Sequence, residues 1–290
     1  MNYHDIVCFG EVLWDILPSG AVPGGAPMNV AYHAHRHKHA PALVTRIGND
    51  KEGSNLLELF ARYGINTRYV QQDAVYATGK VYAHLDGQHE VRYDIVQPSA
   101  WDFIEYEDDH AALLQQSAYF VFGSLACRNT TSEQTLFRLL EHAPVKVFDI
   151  NLRPPHYRQP LLETLLEKAD MLKLNETELA TIGGWHNAGY TNEAKMQFIA
   201  RRYHIPVIVT TLGPAGAILY AEGEILHQPG IPVTVADTIG SGDAFLAGFL
   251  HTLLNGGPYT SALVQANRLG ALIASKRGAC PDYVPGETGV

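Results

Sequence analysis

The sequence predicts an α/β chain with a mostly parallel central sheet, helices on both of its faces, and a small β-sheet lid. Two textures carry this reading. After Trp101, helical segments alternate with the short strands "AYFVFG", "VKVFDIN", "MLKLN" and "PVIVTTLG". These strands are apolar throughout, as strands covered on both faces must be. From Thr67 to about Ile95 the texture is different. "TGKVYAHLDGQHEVRYDI" alternates with period two around Asp86-Gly87, which predicts a hairpin apart from the main core.

The elements follow in order. "DIVCFG" is a buried strand ending at Gly10, and "EVLWDILPSG" is a second strand, assigned to the lid over residues 11–17 and stopped by Pro18. In "GGAPMNVAYHAHRHKHA", Gly24 and Gly25 release the chain, Pro27 suits a first helical turn, and a helix runs to about Ala40. "ALVTRIG" is a strand, and "KEGSNLLELFARYG" is a helix closed by Gly64. The remaining lid lies within residues 67–96. Helices are expected over 109–117, 130–142, 160–168 and 193–203, each ahead of one of the four apolar strands. Extended pieces span Ala217–Val235, one helix follows Gly240, another runs from about Pro258 to Lys276, and the tail "YVPGETGV" is expected to be loose.

The chain has 290 residues, 46% of them hydrophobic, which suits one large domain over residues 1–290. No apolar run approaches the ~18 residues of a membrane span. The start, "MNYHDIVCFGEV", has no basic leader or long apolar core, so a cytoplasmic location and no membrane partner are expected. The net charge of −9 argues against nucleic acid as a partner. Cys8, Cys127 and Cys280 are widely spaced and read as reduced thiols, with Cys8 as buried filler. His33, His35, His37 and His39 share helix faces only in pairs, so a solvated helix surface is expected rather than a metal cluster.

The stretch "ADTIGSGDAFLAGFL" carries the chemistry. Unpaired amides and a partial positive charge collect at a helix start, and bare glycines let an anion touch them. An acid in that turn would repel a phosphate unless its task were to accept a proton. Gly240, Ser241, Gly242 and Asp243 therefore read as an anion hole with a general base, the layout of phosphoryl transfer. A helix cap is the other reading of Asp243. "ATGKV" lacks the spacing of a P-loop, and "GSGDAF" lacks the third glycine of a dinucleotide fingerprint, which removes the case for an oxidoreductase.

"GGAPMNVAYHAHRHKHAPALVTRIGNDKEG" and "DTIGSGDAFLAGFL" together resemble the ribokinase-like, or phosphofructokinase B type, sugar kinases, and the texture between them extends the resemblance over nearly the whole chain. Ser241 stands where the family usually has alanine. The resemblance implies a ribokinase-like fold and an ATP-dependent carbohydrate kinase with Asp243 as base. It assigns the sugar to Asp15, Gly24, Gly25 and Asn29, with Asn151 and Arg153 of "DINLRPPHY" beside them and Glu11 as a further contact. Asp15 could instead be a turn residue, Asn29 a helix-start residue and Arg153 a surface arginine. Lys173, Asn175, Thr211, Gly213, Gly216 and Asn267 are assigned to the nucleotide. Glu178 of "KLNETEL" is expected to hold Mg²⁺ through water, or to close a capping box with Asn175. Asp237, with backbone oxygens of 275–278, resembles a monovalent-cation site for K⁺. Trp101, Tyr82 and Tyr93 either touch the sugar or form the lid's own core. The texture of "GGAPMN" with "DINLRP" is most similar to bacterial fructokinases, so D-fructose is the expected substrate. Ketodeoxygluconate, ribose, a nucleoside, or a non-catalytic sugar-binding role are the alternatives, and a homodimer through the lid is expected.

Overall fold

The computed structural model of the chain describes residues 4–18, 20–85 and 91–286. The core begins with β1 (Ile6–Phe9), every residue of which is buried. β2 (Leu13–Leu17) and β3 (Gly20–Gly24) then pair antiparallel outside that core. α1 (Ala26–Arg36) starts with Pro27 in its first turn and stops before Ala40, because Lys38 is in the left-handed region at φ 67°. β4 (Pro41–Gly48) leads to α2 (Lys51–Arg62), whose cap Asp50 accepts the Gly53 N–H at 2.7 Å.

β5 (Val70–Asp73), β6 (Gly79–Leu85) and β7 (Val91–Ile95) follow, then α3 (His110–Gln115), β8 (Tyr119–Gly123) and α4 (Thr130–Leu140). β9 (Lys146–Asp149), α5 (Gln159–Leu166), β10 (Met171–Asn175) and α6 (Glu176–Trp185) continue the alternation. The chain closes with α7 (Asn192–Tyr203), β11 (Val207–Thr211), β12 (Gly216–Ala221), β13 (Glu224–Pro229), α8 (Ser241–Leu254) and α9 (Tyr259–Ala274).

Among the described residues, nine strands form one sheet in the order β13-β12-β11-β10-β9-β8-β1-β4-β5, and four form a second in the order β3-β2-β6-β7. In the large sheet every pairing from β5 to β11 is parallel, and β12 and β13 add antiparallel at one edge. The strand order reverses at β1, between β4 and β8, and ligands of open α/β sheets bind beyond the carboxyl ends at such a point. Two apolar layers fill the two faces, one around Phe120, Phe122 and Phe148, the other around Phe245, Phe249 and Leu43.

Several expectations are corrected. β5 belongs to the large sheet, as the parallel partner of β4, and not to the lid. β3 is a lid strand that "GAVPG" does not announce, and the Asn175–Glu178 capping box opens a full helix, α6. Trp101 is fully buried in the 3-10 turn Ala100–Phe103 beneath the lid, so it is core and not a sugar platform. Tyr82 is 37% exposed, and the side chain of Tyr93 and the Asp86-Gly87 turn lie outside the described residues.

The histidines are not a solvated face. His33 is buried, with Nε2 at 2.9 Å from the Ala279 carbonyl and Nδ1 at 3.0 Å from the Tyr283 hydroxyl. His37 and His39 lie past the helix end against His251, and only His35 is exposed. Tyr283 is buried, so the start of the expected loose tail is docked on α1. Cys8 and Cys127 are buried and free. No helix among the described residues is long and apolar enough to cross a membrane.

Candidate active site

A cavity of about 520 Å³ opens at the carboxyl edge of the large sheet, between it and the lid. Its floor is made where strands end: Glu11 after β1, Asn151 and Arg153 after β9, Lys173 and Asn175 on β10, Thr211 on β11. Its roof is the lid. Leu13, Asp15 and Leu17 all line it, because alternate residues of a strand share one face. One register line crosses the small sheet through Val22, Asp15, Val81 and Ile95, and the last three of these line the cavity. Gly24, Gly25 and Asn29 close the wall at the start of α1.

The far wall is the first turn of α8. Gly240 is its cap, at φ 75°, and no side chain caps the helix. Gly240 must be glycine on two counts: that φ is hostile to an L side chain, and a Cβ would strike Ala279. The Ser241 N–H turns back to the Thr238 carbonyl at 3.3 Å, and its hydroxyl donates to the same oxygen at 2.9 Å. Ser241 is therefore partly withdrawn from the expected anion hole, whereas Gly242 and Asp243 line the cavity without that tie. A Cβ at Gly242 would lie 3.1 Å from Lys173 Nζ, so the bare glycine lets the ammonium reach the amide turn.

Lys173 and Asp149 are register partners on adjacent parallel strands. Lys173 Nζ donates to both Asp149 oxygens at 2.9 Å, and both side chains are buried. Burial works against the Lys173 charge, but the carboxylates of Asp149, Asp243 and Glu178 outweigh it and raise its pKa, so it is an ammonium at neutral pH. Asp243 accepts from Asn29 Nδ2 at 2.8 Å, and Asn29 Oδ1 in turn accepts from the Cys280 thiol at 3.4 Å. Burial pushes Asp243 up to about 6, against the pull of Lys173 and with a further push from Asp149. A carboxyl group that releases its proton near 6 is ionised at neutrality and basic enough to take a hydroxyl proton. The cap reading is not supported, since no side chain caps α8.

Opposite α8, burial lifts Asp15 to about 6 and Glu11 to about 7, with Arg153 opposing both. Glu11 Oε1 accepts the Ala26 N–H at 3.3 Å and so ties the loop after β1 to the start of α1.

The remaining expected residues fall around the cavity rather than in it. Glu178 Oε2 accepts the Asn175 N–H and Oε1 the Leu152 N–H, both at 2.8 Å, while Asn175 Oδ1 accepts the Glu178 N–H at 2.9 Å, a complete capping box. Gly213 opens the 3-10 turn Gly213–Ala215 beyond β11, and Gly216 follows it. Asn267 is buried and donates to the Pro229 carbonyl at 2.8 Å, which ties α9 to β13. Asp237 accepts from the Ile239 and Gly278 amides at 3.0 Å, holding the loop before α8 against the loop after α9. The Asp149–Lys173 ion pair depends on the strand register, which the sequence does not display. Nothing in the sequence signalled Cys280 behind Asn29.

This arrangement, a base beside an ammonium and a bare helix start with carboxylates opposite, suits transfer of an anionic group to an alcohol. The chain belongs to the pfkB family of carbohydrate kinases, whose model matches residues 19–285. It is 32% identical to a fructokinase of Klebsiella pneumoniae, over 93% of each chain. A fructokinase with bound ATP from Xylella fastidiosa superposes with a TM-score of 0.84 at 25% identity, covering 95% of this chain and 94% of the other. A double mutant of a Vibrio cholerae fructokinase in its fructose-, ADP- and potassium-bound form gives 0.81 at 25% identity, covering 96% and 94%. The chain is an ATP-dependent sugar kinase with the ribokinase-like fold.

Proposed function

We propose that the chain phosphorylates a terminal hydroxyl of D-fructose, giving fructose 6-phosphate, in the cavity between lid and sheet. The convergence of Asp243, Lys173 and the uncapped start of α8 on one wall, with Asp15 on the roof opposite, carries the reading. The relatives named as fructokinases support the sugar. So does charge: Lys173 is offset by Asp149 and Asp243, and Arg153 by Asp15 with Glu11 beside it, so no unmatched positive charge awaits a sugar acid such as ketodeoxygluconate, and a neutral polyhydroxy ligand suits the space.

In this reading Asp15 accepts hydrogen bonds from two sugar hydroxyls, and Asn151 and Arg153 bound the other side. Asn29 holds Asp243 by one amide hydrogen and keeps a second for the sugar. Asp243 takes the proton of the attacking hydroxyl. The amides of Gly242 and Asp243 and the Lys173 ammonium stabilise the charge on the transferring phosphoryl group. The lid keeps water from competing.

Asn175 and Thr211 lie at the nucleotide end of the cavity, with Gly213, Gly216 and Asn267 beyond it along the expected course of ATP. Both Glu178 oxygens already hold backbone amides, so the residues suit a Mg²⁺ ion met through its water shell rather than directly. Bound there, Mg²⁺ would neutralise phosphate charge. Asp237 and the 275–278 loop suit a K⁺ ion in the same indirect way, since both Asp237 oxygens also hold amides. The whole chain acts as one domain, with the lid of β3, β2, β6 and β7 pairing with a second copy in a homodimer.

The test is coupled ADP release over a panel of fructose, ribose, ketodeoxygluconate and a nucleoside. A kcat/KM for fructose at least ~10-fold above the others is expected. Preference for ketodeoxygluconate would overturn the charge argument, and ATP binding without release on any sugar would favour a non-catalytic role. Light scattering of the purified chain reads the dimer.

A further inference from the structure

Arg128 ends the 3-10 turn Leu125–Arg128, whose first residue lines the cavity. It does not itself reach the cavity. Its side chain is 3% exposed and grips Asp102, itself 2% exposed, by Nε at 2.6 Å and Nη2 at 2.8 Å. Nη2 also donates to the Val96 carbonyl at 2.7 Å, with the Ile95 carbonyl 3.5 Å from Nη1. The guanidinium lies 3.8 Å from the centre of the Trp101 ring. That indole packs against Gly79, where any Cβ would collide with it.

Val96 is the root of β7: its N–H donates to the Lys80 carbonyl of β6 at 3.0 Å. The next rung up is the line through Ile95, Val81 and Asp15. One buried guanidinium thus joins the roots of two lid strands to the turn beneath them. The opposite side of the lid is rooted separately, by Trp14 Nε1 on the Glu52 carbonyl and by the Lys80–Glu52 ion pair.

A buried ion pair is weak evidence of stabilisation, because an apolar replacement often serves as well. What a two-point guanidinium grip does supply is fixed geometry. We propose that Arg128 is a positioning residue for the sugar: by holding Val96 against Asp102 and Trp101 it sets the height at which the Ile95–Val81–Asp15 rung stands over the cavity. This rests on the reading of that cavity as the sugar site.

The test compares wild type with Arg128→Lys, which keeps the charge and loses the fork, and with the double variant Arg128→Met, Asp102→Asn, which removes the ion pair but leaves an oxygen to accept the Ser99 N–H that Asp102 holds at 2.8 Å. Both variants are expected to raise the sugar KM by ~10-fold while the ATP KM stays within ~2-fold, and to raise ATP hydrolysis without sugar relative to turnover with it. Amide exchange over residues 79–82 and 94–96 should quicken by ~10-fold with β8 unchanged. Either variant with unmoved KM values and exchange overturns the role of Arg128, as does uniform acceleration of exchange with both KM values rising together. A wild type silent on every sugar but binding ATP overturns instead the sugar-site reading.

Discussion

Replacing Asp243 with asparagine separates two consequences of one carboxylate. Burial holds its pKa at about 6 against an ordinary 3.8. Each pKa unit corresponds to 1.36 kcal/mol, so keeping the ionised group in place costs the folded chain up to about 3 kcal/mol above pH 7. Asparagine has the same shape, can still accept the Asn29 hydrogen bond through its own oxygen, and carries no charge. The sign follows from the folded pKa being the higher one. The wild type's stability is undiminished below 3.8, falls as pH rises through 6, and is level above. Asp243→Asn should therefore be more stable than wild type at pH 8, by as much as ~5 °C in Tm, with the gap closing towards pH 4. Its turnover should fall by at least ~10²-fold. Circular dichroism melts from pH 4 to 8, beside coupled ADP release at pH 8, read both. A variant less stable than wild type at pH 8, or a gap that ignores pH, refutes the account of the buried carboxylate; near wild-type turnover removes Asp243 from the chemistry.

Other outcomes follow from the same site. The kcat/KM of the wild type should decline below about pH 6, as Asp243 and Asp15 take up protons, and a profile flat to pH 5 would contradict it. Lys173→Gln should lower kcat by ~10² with the sugar KM little changed if the ammonium acts on the phosphoryl group as proposed, and a sugar-KM effect in steady-state kinetics would contradict that role. Asp15→Asn should raise the sugar KM by ~10-fold and leave ATP binding alone, as calorimetry with each ligand will report. Chelation of divalent ions should abolish turnover and added Mg²⁺ restore it, and full activity in chelator would remove the metal from the reaction.

What the sequence revealed was local. The glycine turn before α8, the Asn175 cap and the apolar strands announce themselves within a few residues, so the sheet, its helices and the Asp243 turn were all legible. What it hid was non-local or locally contradictory. "GAVPG" carries the glycines and proline of a loop, yet β3 is a strand because β2 supplies its partner. β5 is polar because it is the sheet's edge, and polarity made it look like lid. The Lys173–Asp149 pair depends on register, and the burial of His33 depends on Ala279 and Tyr283, far along the chain. α6 carries Gly183-Gly184 in its last turn, which weakens its helical signature beyond the Asn175 cap.

The parallel pairing of β2 with β6 has a consequence for how the molecule is made. Leu13 meets Gly79, so α1, β4, α2 and β5 must all be threaded between the two partners before they can join. Closing so large a loop delays the contact. The sheet beneath closes a longer loop still, Ile6 onto Tyr119, and β10, β11 and α8 come later in the chain, so a nascent chain should form its lid before the far side of the cavity exists.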